Sequence, residues 1–268
     1  GSEREIEKEK RVRENIIILE NSKDKLNYQA EIQNLFHKIF RKPMPYYERF
    51  FTATPFGNKM ICYTRDNAIK GMGNITRIQA KLDEQSYNYY LFTTSMIDES
   101  VRKNGAYFAI LNTIKEVAME DKVDFILAFP NANAYPILSK LGRFELIGKY
   151  AFSTLPLHQV LSLPWQQLRF TQEMLQWRLS FHQYYKHIDT DCQIIYKLYN
   201  DVIDVLHIFD NQVQIPIPTQ NFNHKEVLMP LKFESKIHKN TQPICMTFFP
   251  ILKDKTSLDF SPILSDVF

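Results

Sequence analysis

The sequence predicts an α/β protein with a mixed sheet and a parallel crossover, followed by a smaller C-terminal α+β part. Three observations predict it. Residues 87–95 are mostly aromatic, β-branched and aliphatic, 106–121 read as a helix, and 123–129 are apolar nearly throughout, as a central strand covered on both faces should be. Strand, helix and strand in that order give a right-handed crossover between parallel strands. Ahead of it, 59–64 and 68–78 read as two strands of a meander, and far beyond it 192–198 and 202–209 read as a hairpin around Tyr199-Asn200-Asp201.

In chain order, residues 1–14 form a charge-dense arm, read as a solvated helix or frayed tail. Ile16-Ile17-Ile18-Leu19 is a first buried strand, and Ile32, Leu35, Phe36 and Ile39 have helical spacing over 31–40. Pro43 and Pro45 break that helix, and 46–51 follow as a loop or short helix. Gly71 and Gly73 weaken or bulge the second meander strand. After Pro130, residues 131–141 make a short helix that Gly142 stops, and 144–152 form another strand. Pro156 and Pro164 mark a linker over 156–164, which divides a first domain at 15–155 from a second at 165–268. The second domain is expected to hold a helix over 168–185, the hairpin, a loop over 215–223 and a late strand over 244–251.

The bulk numbers bound the function. With 268 residues and 44% hydrophobic content the chain can bury a sizeable core. A formal net charge of +3 is too weak for a dedicated nucleic-acid binder. No apolar run approaches the ~20 residues that span a bilayer, so no membrane insertion is expected. Cys62, Cys192 and Cys245 are widely spaced and read as free thiols of a cytoplasmic protein. The seven histidines (His37, His158, His182, His187, His207, His224 and His238) form no metal-ligand spacing, and no metal is expected.

The segment that carries most chemistry is Arg102-Lys103-Asn104-Gly105-Ala106-Tyr107, where the 87–95 strand gives way to the helix. A helix start with free N–H groups, a glycine and two cations is a ready anion site. This loop, read as Arg102-x-x-Gly105-x-Tyr107, and the later run from Asn131 to Phe144 together make residues 15–155 resemble the GNAT superfamily of acyl-CoA-dependent N-acyltransferases.

The resemblance implies coenzyme A as cofactor, carried as acetyl-CoA or a short hydroxyacyl-CoA. The amides from about Lys103 to Tyr107 would hold its pyrophosphate, with Arg102 adding charge and Asn131 and Asn133 on the following segment. The pantetheine arm would insert between splayed parallel strands, here 87–95 and 123–129. Backbone groups of Met96 and Ile97 would pair with its amides, and one N–H near Ile97 would hold the developing oxyanion.

Two positions depart from the family's pattern. Tyr107 stands where most members have glycine or alanine, which resembles acyltransferases of surface-polysaccharide clusters. Leu138 stands where a tyrosine usually protonates the departing thiolate; Tyr135 is either a substitute acid or a packing residue. Asp98 and Glu99 either take the amine proton, directly or through water, or simply cap a helix start. Tyr46, Tyr47 and Arg49 either stack on a nucleotide base and touch phosphate or pack as a hydrophobic loop, and His158 is a further acceptor-side candidate. Trp177-Arg178 resembles the pair found after the first domain of two-part GNAT acyltransferases, whose C-terminal parts are half-copies of the fold.

These likenesses point to two-domain sugar N-acyltransferases of bacterial O-antigen or capsule synthesis. The expected acceptor is a nucleotide-linked amino sugar, specifically a dTDP-linked 3-amino-3,6-dideoxyhexose. A sugar amine is closer to the ~8 of an α-amino group than to the ~10.4 of lysine, so it relaxes the demand for a base. The alternatives are a protein or peptide N-acyltransferase and a non-catalytic acyl-CoA-binding module. Acyl identity, sugar, nucleotide and oligomeric state are open at this point.

Overall fold

A computed structural model describes residues 2–6, 15–44, 47 and 54–265. The strands are β1 Ile16–Leu19, β2 Asn58–Arg65, β3 Ala68–Leu82, β4 Gln85–Ile97, β5 Phe125–Ala128, β6 Glu145–Pro156, β7 Leu168–Arg169, β8 Tyr185–Ile188, β9 Cys192–Tyr199, β10 Val202–Asp210, β11 Glu226–Lys232 and β12 Ile244–Pro250. The helices are α1 Ser22–Asn27, α2 Gln29–Phe40, α3 Ala106–Glu120, α4 Ala134–Lys140, α5 Leu157–Ser162 and α6 Gln172–Arg178. The sheet runs β1-β2-β3-β4-β5-β12-β6-β11-β10-β9-β8, with β7 paired to β3.

The crossover forms as the residue pattern requires. β4 and β5 are parallel, with Tyr90 opposite Ile126 and Phe92 opposite Ala128. Between them α3 lays Ala109, Ile110, Ile114, Val117 and Ala118 onto the sheet. Glycine at position 73 sets how close that helix comes: an added Cβ would lie 2.8 Å from Ile110 Cγ2 and 2.8 Å from Phe92 Cε2.

The second part repeats the strand pattern of the first. β9 and β10 form the expected hairpin, turned by Asn200 (φ 49°) and Asp201 (φ 64°), side chains that tolerate the left-handed region. β10 then lies parallel to β11, as β4 does to β5.

The expected domain division meets a topological finding. The chain leaves its first half at 156–164, yet β12 returns to lie between β5 and β6, pairing Thr247 with Ala128 and Ile244 with Tyr150. One continuous sheet therefore joins both halves.

The helix expected over 168–185 is largely absent. Leu168 and Arg169 pair with Leu82 and Lys81, and only Gln172–Arg178 is helical, started by Thr171, whose hydroxyl accepts from Met174 N–H at 3.1 Å. The helix ends at Arg178. Its buried guanidinium donates to the carbonyls of Pro262 (2.8 Å) and Ile263 (3.1 Å) and to the Tyr184 hydroxyl, which anchors the C-terminal segment there. No helix among the described residues is long and apolar enough to cross a membrane.

Candidate functional site

β4 outruns its partner. Its pairing with β5 stops at Phe92 and Ala128, while β4 continues to Ile97, held on its other edge by β3. At this point β4 bulges. Met72 faces Met96 and Asn74 faces Thr93, so Gly73 opposes two residues, Thr94 and Ser95, and Thr94 takes a φ of 53°. Behind the bulge lies a buried polar chain: Asn58 donates to Asn74 Oδ1 (2.6 Å) and Thr76 Oγ1 (2.9 Å), and Asn74 donates to Thr93 Oγ1 (3.0 Å). The result is a wedge between β4 and β5 whose β4 edge, over 93–97, has no β5 partner.

The loop at the mouth of this wedge has the features of an anion site. A 3₁₀ turn over Glu99–Asn104 leads to Gly105, whose φ of 74° suits glycine. Gly105 precedes the first residue of α3, no side chain caps that helix, and its first turn holds no carboxylate. The first N–H groups of a helix have no acceptor within it, so these amides and the helix dipole favour an anion. A Cβ built on Gly105 would meet nothing within 4 Å, so the turn faces open space. Arg102, Lys103 and Asn104 are exposed beside it, and Arg102 Nε lies 3.5 Å from the Ile97 carbonyl. Ala106 is buried in the α3 interface. Tyr107 is half-buried; burial pushes its phenol up, against a hydrogen bond with Ser95 at the bulge. The crowding aromatic thus braces the helix start against the wedge.

Other expected site residues have structural tasks. Met96 is buried under α2, and Ile97 packs against the α3 cluster, so only their backbone can serve a ligand. Asp98 is buried. It accepts from Lys38 Nζ at 2.7 Å and, as the cap of the 3₁₀ turn, from Ser100 N–H at 2.9 Å. These bonds, the lysine's first, hold its carboxyl well below the usual range, which makes it a weak base. Glu99 is exposed. Asn131 Oδ1 accepts from the N–H groups of Asn133 (3.1 Å) and Ala134 (2.8 Å), so it is tied up in the turn that leads into α4, with Asn133 exposed beside it. Tyr135 is half-buried in the first turn of α4, whereas Leu138 is buried in the α3 cluster.

On the acceptor side, Tyr47 is 3% exposed and its hydroxyl donates to the Lys25 carbonyl at 2.7 Å. It packs under α1 and α2, which corrects the stacking expectation for that residue, because a ring sealed in a core offers no face to a base. Tyr46 and Arg49 lie outside the described residues. His158 is exposed on α5.

Residues that composition and spacing did not single out line a cleft of about 670 Å³ between β10, β11, β6 and α5. They include His207 and His238, treated as scattered because nothing in sequence links 207 and 238 to 153 and 261. Among the described residues no group of three or more His, Cys, Asp or Glu side chains is arranged to hold a metal ion.

No protein-family model and no curated protein matches the sequence. Solved structures match in fold. A GCN5-related N-acetyltransferase from Kribbella flavida is 8% identical with a TM-score of 0.60, over 88% of this chain and 72% of that one. One from Anabaena variabilis ATCC 29413 is 11% identical with a TM-score of 0.52, over 88% and 73%. The chain therefore has the fold of the GCN5-related N-acetyltransferases, spread across both of its halves.

Proposed function

We propose that this protein is an N-acyltransferase that takes an acyl group from coenzyme A and acylates the amine of a nucleotide-linked amino sugar. The observation that carries the reading is the exposed Gly105 turn, set before the uncapped start of α3 beside an unpaired edge of β4.

When bound, the cofactor supplies an acyl group already activated as a thioester. The amides from Lys103 to Tyr107, with Arg102 and Lys103, hold its diphosphate. The free β4 edge near Met96 and Ile97 holds the pantetheine amides, and one N–H there stabilises charge on the carbonyl oxygen. Tyr135 is the side chain proposed to hand a proton to the leaving thiolate; a thiolate with an ordinary pKa near 8.5 needs little help.

The state of Asp98 supports a sugar amine. With that carboxylate held by Lys38, Asp98 is a poor base for a lysine amine, whereas a sugar amine is neutral in useful amounts near pH 8. The burial of Leu138 favours a second reading, an acyl-CoA-binding module without turnover.

Thiol release from acetyl-CoA decides between these. The assay offers free amino sugars, dTDP- and UDP-linked amino sugars, and lysine peptides. Release with the nucleotide-linked sugars supports the proposal, release with peptides alone replaces the acceptor, and coenzyme A binding without release on any amine leaves only the binding module.

A further inference from the structure

β4 opens where its pairing with β5 ends. Tyr89, Tyr90, Leu91 and Phe92 are buried, Met96 is buried again, and between them Thr93, Thr94 and Ser95 are partly exposed. These three polar residues come directly after the last pair of the ladder, Phe92 opposite Ala128, so they border the wedge. The second parallel pair shows that splaying alone does not expose a strand. β10 and β11 pair at one position, Asp204 opposite Leu228, and β10 then bulges, with Leu206 left over between Val205 and His207. Yet β10 stays buried from Val205 to Phe209, and offers a ligand no side chain there.

Direction separates the three residues at the β4 wedge. Tyr90 and Phe92 pack in the α3 cluster, so by alternation Thr93 lies on the opposite face of the sheet. Ser95, past the bulge, bonds Tyr107 at the start of α3. Thr93 is also the outer end of the buried polar chain. Its Oγ1 lies 3.0 Å from Asn74 Nδ2, Asn74 bonds Asn58 at 2.6 Å, and Asn58 bonds Thr76 Oγ1 at 2.9 Å. Asn58, Asn74 and Thr76 are buried, and buried amides are costly to leave unpaired, so the chain holds the Thr93 hydroxyl in place. Whichever way the Asn74 amide is turned, Thr93 Oγ1 keeps a lone pair: one when it accepts from Asn74, two when it donates to it.

We infer that Thr93 orients the acceptor: its Oγ1 accepts a hydrogen bond from the attacking amine and so aims the nitrogen lone pair at the acyl carbon. The inference rests on the acyl-transfer reading and names a residue for its acceptor side. α3 packs on one face of the wedge, so the amine must come from the other face, where Thr93 stands. The β4 edge proposed to hold the acyl oxygen follows Thr93 directly in the chain. A neutral amine has two N–H groups and one lone pair, so holding one N–H restricts where the lone pair points. A threonine hydroxyl does not titrate in the working pH range, so Thr93 positions the amine and removes no proton.

Thr93→Val removes the hydroxyl and keeps the shape. In the thiol-release assay, kcat/KM for the amine that the unmodified protein uses should fall about tenfold, the worth of one hydrogen bond, with KM for acetyl-CoA unchanged. Calorimetry should give both proteins the same coenzyme A affinity. Thr93→Ser, which keeps the hydroxyl, should retain the rate to within about threefold. The pH midpoint of the rate should stay where it is in every variant. Melting curves check folding, and Thr93→Ala takes the place of the valine variant if that one unfolds. An unchanged rate without the hydroxyl, a serine variant as slow as the valine one, a moved pH midpoint, or a loss that appears in coenzyme A binding overturns the inference and leaves the acyl-transfer reading standing. No thiol release by the unmodified protein on any amine overturns both.

Discussion

The wedge between β4 and β5 and the wedge between β10 and β11 are built from the same strand order, each with a bulge just past the last paired residues of the parallel pair. They differ in what joins their two strands. In the first, a 15-residue helix crosses over and begins at an uncapped glycine turn with two cations beside it. In the second, residues 211–225 cross over without a helix, so there is no helix start to attract a diphosphate. Splayed strands thus provide a slot, and the crossover decides which ligand the slot can grip. The proposed cofactor site needs such a helix start, and only the first wedge has one.

The largest effect that separates the wedges comes from the helix that only one of them has. Gly73→Val drives a side chain into Ile110 and Phe92 and should lower unfolding free energy by about 3 kcal/mol in urea titrations. A value near zero would mean that α3 sits loosely.

Next comes Gly105→Ala. Its Cβ has open space, so the cost is purely that of a positive φ, about 1–2 kcal/mol. Calorimetry should show coenzyme A binding weakened about tenfold; an unchanged affinity would take this turn out of the cofactor's path.

A smaller change is expected for the double variant Arg102→Ala, Lys103→Ala. Coenzyme A affinity should fall several-fold at low salt, and the gap from wild type should narrow as salt rises, because the two exposed cations act through screened attraction. A salt-independent loss would point to direct, desolvated contacts instead.

The subtlest test concerns the polar backing of the first bulge. Lys25 is buried, with Nζ donating to the Asn58 carbonyl at 2.9 Å, and burial lowers its pKa to about 8, Glu20 opposing. The unfolded chain keeps this proton up to about 10.4, so the folded state binds fewer protons between those values. Stability from this group therefore rises with pH from about 8 to 10.4. Lys25→Met should remove that rise when melting temperatures at pH 7 and pH 9.5 are compared with wild type; matching slopes would place the charge in solvent.

Much of this was legible in the residues. The apolar run at 123–129, the aromatic strand before it and the Gly105 turn define the crossover and its anion-seeking start, because each is a local pattern of propensity, burial and backbone freedom. The hairpin turn at Asn200-Asp201 is equally local.

What only the tertiary structure decided are the pairings between distant segments. Nothing near residue 244 announces that β12 lies between β5 and β6. Nothing near 168 says that two residues will pair with β3 while Arg178 ties down the chain's end. From its neighbours Asp98 reads as either a base or a cap; Lys38, 60 residues away, is what holds its carboxyl low. His207 Nδ1 meets the hydroxyl of Ser261, 54 residues on. Local preference sets which elements form. Charge state, tautomer and the contents of a cleft depend on partners that meet only when the sheet closes, because an electrostatic environment belongs to a place in space and not to a stretch of chain.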